Sequence, residues 1–323
     1  MVNKQTKPFA SISLDLDNKW SYMKTHGNPD WQKYPSYFSV VVPRIMDALS
    51  QNNLSITFFI VGLDAVRPEN SDSLQSLTAN GHEVGNHSFH HDPWLHLYCK
   101  DKIRAEVLDA EQAIVEVTGQ RPVGFRGPGF SWSKTLIEVL TENHYQFDAS
   151  TLPTYLAPLA RAYFLAKSGL TKSERAQRKG LFGGFKNGFL PEKAHLLLNS
   201  RPEPLLEIPV TTMPVFKIPF HLSYLIYLSQ YSPALMRTYL RTAVLLSRLT
   251  GTEPSFLLHP LDFMDSSDAP ELAFFPGMQM EAAKKRELFD QVIDILRQHF
   301  ELVPMSVHAR ELQKKNLKVI KLS

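Results

Sequence analysis

Strand-like and helix-like hydrophobic spacing alternate along the first 150 residues. The segment Phe9–Leu16 alternates apolar and polar residues, and residues 55–61 form a short apolar run, as in a buried parallel strand. Residues 101–118 carry apolar side chains at helical spacing and are followed by Gly119, a frequent helix end. Further strands are predicted at 82–86, 122–125 and 145–149, and further helices at 35–51, 71–80 and 133–143. Such alternation predicts a parallel sheet or barrel with helices outside it.

After residue 150 this alternation is interrupted. Residues 151–204 combine basic, glycine-rich and leucine-rich pieces, and we interpret them as an insertion within one domain that spans residues 1–323. The alternation resumes with strands at 205–211, 255–258 and 301–304 and helices at 235–249 and 281–300. The basic tail 314–323 is expected to be peripheral.

Composition excludes several classes of protein. Of the 323 residues, 43% are hydrophobic and 21% charged, which is ordinary globular usage and excludes a disordered or collagen-like chain. The single cysteine, Cys99, excludes an internal disulfide framework and a zinc site built from several cysteines. We find no signal peptide and no segment apolar enough to span a membrane, so we expect a cytoplasmic protein.

The net charge of +3 is unevenly distributed. Residues 151–250 contain 13 Lys and Arg against 4 Asp and Glu, a local charge of +9 that indicates an anionic partner. No nucleic-acid motif accompanies it, so DNA and RNA are not expected.

Within the basic region, residues 218–236 carry no charged side chain. One interpretation is a buried helix with a loop. The other is a segment lying in a membrane interface, with Tyr224, Tyr227 and Tyr231 at headgroup level. Together with the local charge, the second interpretation predicts peripheral contact between residues 151–250 and the inner face of a membrane.

Ionisable side chains follow five of the predicted strands in turn. These side chains are Asp15 and Asp17, His87 and His91, Arg126, Asp148, and His259. In an α/β barrel, functional groups lie at the carboxyl ends of the strands, so we expect these side chains to surround one site.

Each signal also has a structural alternative when it is taken alone. The two aspartates can be solvated turn residues. One helical turn would place His87 and His91 on one face, where both imidazoles reach one cation, although they can equally belong to a surface turn. A carboxylate with two imidazoles leaves positions open for water and substrate, as a catalytic metal requires. Arg126 can be a surface arginine or can hold a carboxylate, and His259 can be a core histidine or a general acid.

In this order, the motifs resemble those of the polysaccharide deacetylases with a NodB-type domain, carbohydrate esterase family 4. They read Asp15-Leu16-Asp17, His87-Ser88-Phe89-His90-His91, Arg126-Gly127-Pro128, Asp148-Ala149-Ser150 and Leu257-Leu258-His259. The stretches TFFIVG and GHEVGNHS are also similar, and the resemblance covers roughly residues 9–150 and 205–310. It implies an α/β fold, a distorted (β/α)7 barrel, here with an inserted basic and apolar segment.

The resemblance also implies a metal and a substrate class. Asp17, His87 and His91 would hold a divalent cation, with Zn2+ expected and Co2+, Ni2+ or Mn2+ as alternatives. The cation would polarise an amide carbonyl and acidify a water molecule. The implied substrate is an acetylated saccharide or a lipid-linked sugar that loses an N-acetyl or other small acyl group.

The same resemblance implies roles in proton transfer. Asp15 would act as the general base, kept charged by Arg126. His259 would protonate the leaving amine, with Asp148 as its partner.

Three positions depart from the commonest family pattern. Leu16 separates two aspartates that are adjacent in most members, as it does in a branch with peptidoglycan-deacetylase-like and allantoinase-like proteins. Gly129 follows the arginine motif where an aromatic residue is common, and no tryptophan follows the Asp148 motif. Two alternatives stay open: the same machinery on a non-sugar amide or cyclic imide, and an inactive protein that binds a saccharide or a membrane. The site chemistry would also serve an ester.

Overall fold

A computed structural model describes residues 7–159, 161–162, 170–171, 175, 184–200 and 203–322 of the chain. Its strands are β1 Phe9–Leu16, β2 Thr57–Ile60, β3 Glu83–Asn86, β4 Gly124–Phe125, β5 Phe147–Asp148, β6 His195–Leu198, β7 Leu205–Glu207, β8 Thr212–Met213, β9 Ile218–Pro219, β10 Ser255–Leu258, β11 Glu301–Val303 and β12 Val319–Lys321. Its α-helices are α1 Lys19–His26, α2 Phe38–Gln51, α3 Gly62–Ala65, α4 Ser71–Ala79, α5 Lys100–Thr118, α6 Lys134–Glu142, α7 Leu222–Tyr231, α8 Pro233–Thr250, α9 Ala282–His299 and α10 Met305–Gln313.

Seven parallel strands form the barrel that the sequence predicts. They lie in the order β10, β1, β2, β3, β4, β5 and β7. Hydrogen bonds between Thr211 and Ser255 join the chain after β7 to the start of β10. The expected distorted (β/α)7 barrel is confirmed. Beyond it, β11 pairs with the start of β1, and β6 and β12 extend the sheet past β7.

The two faces of β1 explain how the barrel is filled. On one face, four apolar side chains join the main core with residues of α2 and α9; they are Ala10, Ile12, Leu14 and Leu16. On the other face, Ser11, Ser13 and Asp15 point into the barrel, because successive side chains of a strand alternate. There the Arg126 guanidinium donates to Ser13 Oγ at 2.9 Å, and the His308 Nδ1 lies 3.0 Å from Ser11 Oγ.

Most predicted elements agree with the structure to within a few residues. The helix predicted at 235–249 is α8, which starts earlier because the Ser232 hydroxyl accepts the Leu235 N–H at 3.3 Å. It ends at Gly251, whose φ of 65° suits a glycine. In the described residues, the structure adds helices α1, α3, α7 and α10 and strands β6, β8, β9 and β12, none of which was predicted.

The uncharged segment 218–236 contains β9, α7 and the start of α8. Leu222, Leu225 and Ile226 of α7 are buried in the main core. The interpretation of this segment as a buried helix is therefore confirmed. Of its tyrosines, Tyr227 and Tyr231 are exposed, whereas the Tyr224 ring packs against His221.

Part of the predicted insertion at 151–204 lies outside the described residues. Its last part contains β6, which pairs antiparallel with β7 and so belongs to the sheet. The basic tail supplies β12, which pairs with β6 at the edge of that sheet. None of the helices in the described ranges is both long and apolar enough to cross a membrane.

Candidate active site

Asp17, His87 and His91 come together at the carboxyl ends of β1 and β3. All three side chains are buried, and one potential ligand atom of each lies within 4.8 Å of the others. The Asp17 Oδ1 atom is 2.9 Å from His91 Nε2 and 3.5 Å from His87 Nε2. The predicted convergence of these side chains is present in the structure.

The two histidines lie in a loop after β3 and not on a helical turn, which corrects the expected local conformation. Ser88 and His91 have φ values of 60° and 52°, outside the right-handed helical region. The loop is held by the buried Glu106 of α5, whose Oε2 accepts the Phe89 and His90 N–H groups at 3.1 and 2.9 Å. The sequence motifs did not indicate Glu106 as a residue that supports the site.

A hydrogen bond fixes the orientation of the His87 imidazole. Its Nδ1 lies 2.6 Å from the carbonyl oxygen of Arg126. Because a carbonyl can only accept, Nδ1 carries the proton and Nε2 presents its lone pair towards Asp17. This is how proteins commonly orient a metal-binding histidine.

Electrostatic interactions among the three side chains shift two of their pKa values. Burial alone would raise the pKa of Asp17, but His91 and His87 bring it below its ordinary value. Burial alone would lower the pKa of His87, but the carboxylates of Asp15 and Asp17 raise it. Asp17 is therefore a carboxylate across the physiological range.

The donor set fits a divalent cation. Two imidazole nitrogens and one carboxylate oxygen are a ligand combination that zinc and related metals accept. In the described part of the chain, the buried Asp17 Oδ1 faces only the two imidazole Nε2 atoms, and both of these can bind a cation together with it.

Arg126 holds Asp15 beside this set, as predicted. The fully buried guanidinium donates to Asp15 Oδ1 at 2.7 Å and to the Ala149 carbonyl oxygen at 3.0 Å. It also stacks over the Phe59 ring, 4.4 Å from the centroid. Asp15 Oδ2 lies 4.0 Å from His87 Nε2, so Asp15 is adjacent to the cation ligands and is engaged by Arg126.

His259 follows β10, and its partners differ from the expectation. The backbone N–H of His259 donates to Asp262 Oδ2 at 2.8 Å. The Ser223 hydroxyl donates to Asp262 Oδ1 at 2.7 Å and lies 3.3 Å from His259 Nδ1. Ser223 thus bridges the imidazole and a buried carboxylate. His221, buried before α7, packs its ring 5.6 Å from that of His259.

The expected pairing of Asp148 with His259 is wrong. Asp148 lies opposite Glu207 in the β5–β7 register, and its Oδ1 accepts the Ser150 hydroxyl at 2.5 Å. Burial raises the pKa of both carboxyls, and the charge of Asp148 raises that of Glu207 further. Two neighbouring buried carboxyls resist being charged together. Asp148 also supports the loops after β4 and β5, since the Ser150 Oγ that it binds accepts the Gly127 N–H at 2.7 Å.

Tyr22 of α1 is a further residue that the motifs did not indicate. Its hydroxyl is buried and has no hydrogen-bond partner in the described part of the chain. Burial, and then the charges of Asp17, Asp262 and Asp15, hold the pKa of Tyr22 well above its usual range. Tyr22 therefore stays protonated, and its buried hydroxyl remains available as a hydrogen-bond donor.

Comparison with known proteins supports the family assignment. The sequence profile of the polysaccharide deacetylases matches residues 25–147, which include His87, His91 and Arg126. The peptidoglycan-N-acetylglucosamine deacetylase of Listeria monocytogenes is 29% identical over 100 residues, 31% of this chain and 21% of that protein. The chitin deacetylase of Colletotrichum lindemuthianum is 32% identical over 92 residues, 28% of this chain and 37% of that protein.

These alignments are partial. The chain spans between about a fifth and two fifths of the length of the two relatives. A crystal structure from Mycobacterium smegmatis, assigned to the polysaccharide deacetylases, aligns over 100% of this chain and 96% of its own. Its TM-score is 0.63 at 18% identity, so it supports the fold alone.

Proposed function

We propose that the protein is a metal-dependent deacetylase of the polysaccharide deacetylase family, whose model matches residues 25–147. It removes an N-acetyl or other small acyl group from a saccharide or a lipid-linked sugar by hydrolysis of the amide bond. The observation that carries this proposal is the convergence of the Asp17, His87 and His91 group with the Asp15–Arg126 ion pair at one edge of the barrel.

Asp17, His87 and His91 would hold the divalent cation, with zinc as the first candidate. A bound cation supplies Lewis-acid activation of the acyl carbonyl and lowers the pKa of a water molecule. The residues around it keep the donor atoms in place. The Arg126 carbonyl orients His87, and Glu106 holds the loop between the two histidines.

Asp15 and His259 carry out the proton transfers. Asp15 accepts the proton of the attacking water, and the ion pair with Arg126 fixes the orientation of its carboxylate. His259 delivers a proton to the amine nitrogen as the bond to the acyl carbon breaks, which makes the amine a competent leaving group.

The test uses N-acetylated chito-oligosaccharides and peptidoglycan fragments with protein loaded with zinc. We expect acetate and free amine in equal amounts; acetate without amine would indicate an ester substrate. Asp15→Asn should keep the metal and lower turnover by about 10²–10⁴-fold, as loss of a general base does. Asp30→Asn, at a surface aspartate, is the matched control and should remain active.

Two results contradict the proposal. Full activity of Asp15→Asn would refute the role of that residue. Hydrolysis of cyclic imides with no activity on any acetylated saccharide would move the protein to the non-sugar alternative.

Metal content is tested separately by elemental analysis. We expect about one divalent cation per wild-type chain, because Asp17, His87 and His91 form one three-ligand site. The double variant His87→Ala/His91→Ala should lose it, whereas His299→Ala, at an exposed histidine, should retain it. A wild-type protein that binds no cation after incubation with zinc would refute the metal-dependent mechanism.

A further inference from the structure

An exposed apolar patch lies on chain segments that leave the active-site edge of the barrel. Phe185 and Phe189 are 58% and 70% exposed, and Val215 and Phe216 are 66% and 58% exposed. We call these four residues, together with Tyr155, the rim patch. Tyr155 follows the carboxyl end of β5, and Val215 and Phe216 form the turn between β8 and β9, downstream of β7. The patch is therefore anchored at the edge that carries the active site.

Ring contacts and a hydrogen bond hold the residues of the rim patch together. The ring centroids of Tyr155 and Phe185 are 5.3 Å apart, those of Tyr155 and Phe189 5.5 Å, and those of Phe185 and Phe189 6.0 Å. Gly188 packs so closely under Tyr155 that an added Cβ would lie 2.0 Å from the ring. Lys217 Nζ donates to the Gly188 carbonyl oxygen at 2.5 Å, which ties the β8–β9 turn to the rings.

The turn between β8 and β9 contains two residues with a positive φ, a backbone conformation that their side chains disfavour. Val215 and Lys217 have φ values of 74° and 54°, where glycine or asparagine is preferred and a β-branched residue is strained. The chain thus holds Val215 and Phe216 in solvent at a conformational cost. Strain of this kind accumulates at functional surfaces.

The charge around the patch identifies the kind of partner. Lys186 is exposed between the two phenylalanines, and Lys217 lies in the turn next to Phe216. By sequence, the stretch 151–250 that contains the patch has a net charge of +9. Exposed aromatic rings beside cations match the interface of an anionic bilayer, where apolar side chains insert and lysines stay at the headgroups. A second copy of the chain fits poorly, because two regions of the same positive charge would face each other.

We propose that the rim patch docks the protein on the surface of an anionic membrane. Such docking would present the active site to sugars that are held at that surface by a lipid anchor. This last step rests on the proposed deacetylase function, whereas the docking itself does not.

The test is sedimentation of the full chain with phosphatidylcholine vesicles that contain or lack phosphatidylglycerol. We expect binding to the anionic vesicles at low salt, weakened by added salt because screening removes the electrostatic part. Phe185→Ser/Phe189→Ser should lower the partition coefficient at least about tenfold, since two aromatic rings no longer insert. The matched control is Val66→Ser/Val319→Ser, two valines outside the region that are 50% and 51% exposed. It should bind like the wild type.

Three results would overturn the docking proposal. The wild-type protein could ignore anionic vesicles at low salt, or the control variant could lose as much binding as the patch variant. A wild-type dimer that Phe185→Ser/Phe189→Ser dissociates, without vesicle binding, would assign the patch to a second copy of the chain.

A soluble acetylated oligosaccharide separates this proposal from the proposed function. The patch variant should deacetylate it at the wild-type rate. A protein that is active on the soluble sugar but ignores vesicles would refute docking alone, and one that binds vesicles but hydrolyses no acetylated sugar would refute the deacetylase function alone.

Discussion

Replacing Arg126 with methionine removes the charge partner of Asp15 from the barrel interior. The guanidinium is fully buried and contacts Asp15 at 2.7 Å, Ser13 at 2.9 Å and the Ala149 carbonyl at 3.0 Å. Methionine keeps much of the apolar volume against Phe59 but offers no donor to these three oxygens. The carboxylate of Asp15, only 6% exposed, would then be buried without compensation.

The magnitude follows from the burial of the pair. Removing one partner of a buried ion pair costs about 3–5 kcal/mol, because the remaining charge keeps its desolvation penalty. We therefore expect Arg126→Met to lower the free energy of unfolding by about 3 kcal/mol or more. In the double variant Arg126→Met/Asp15→Asn the uncompensated charge is gone, and about 1–3 kcal/mol of that loss should be recovered.

Urea unfolding in the presence of a chelator measures these differences without a contribution from metal binding. Arg121→Met is the matched control, since Arg121 forms an exposed ion pair with Glu111 and should lose less than about 1 kcal/mol. A loss below 1 kcal/mol for Arg126→Met, or a double variant as unstable as the single one, would show that Arg126 does not compensate Asp15.

Three further substitutions test other parts of the structure. Gly127→Ala would place a Cβ 1.9 Å from the Ser131 carbonyl oxygen, so we expect a loss of about 1–3 kcal/mol or more in thermal unfolding; an unchanged midpoint would contradict the packing. Burial alone would raise the pKa of Glu253, but its partners His308 and Lys315 lower it to about 2. Glu253 therefore stabilises the fold above pH 4.5, and this stabilisation is lost as the pH falls towards 2. Glu253→Gln should therefore cost about 1–2 kcal/mol at neutral pH and nothing near pH 2, as followed by unfolding at several pH values. Ser223→Ala should lower kcat about tenfold at unchanged metal content, the effect of one lost hydrogen bond to the His259 group; full turnover would mean that the bridge is not used.

The alternation of strands and helices predicted a parallel sheet or barrel, and the resemblance of the motifs implied its (β/α)7 form. The rule that functional groups follow the strands predicted that the side chains around Asp17 lie near one another. It works because parallel strands bring their carboxyl ends to one edge, so residues distant in sequence converge without knowledge of the loops. The same rule places Asp148 at that edge but does not say which neighbour it contacts. That depends on the β5–β7 register, which sets Asp148 opposite Glu207.

Two supporting carboxylates left signals in the sequence that were not used. Glu106 lies three residues after Ile103 and four before Ala110, on the apolar face of α5, where an acidic residue needs a buried partner. Glu207 interrupts an apolar strand in the same way. The Ser223–Asp262 bridge left no such signal, because it depends on where α7 packs against the loop after β10.

β1 pairs with strands that are near to it and far from it along the chain, and this has a consequence for biosynthesis. On one side, β1 pairs with β2, where Ser13 lies opposite Thr57. It also pairs with β10 and β11, where Ser11 lies opposite Ser255 and Val303. Residues more than 240 positions apart must therefore meet before Asp15 and Asp17 are fixed. Contacts of such sequence separation form slowly, and during translation they wait until β10 and β11 have left the ribosome. We expect nascent chains that stop before β10 to compact around β2 to β5 without binding a cation tightly. The acidic half of the site would then be completed only after β10 and β11 have been made.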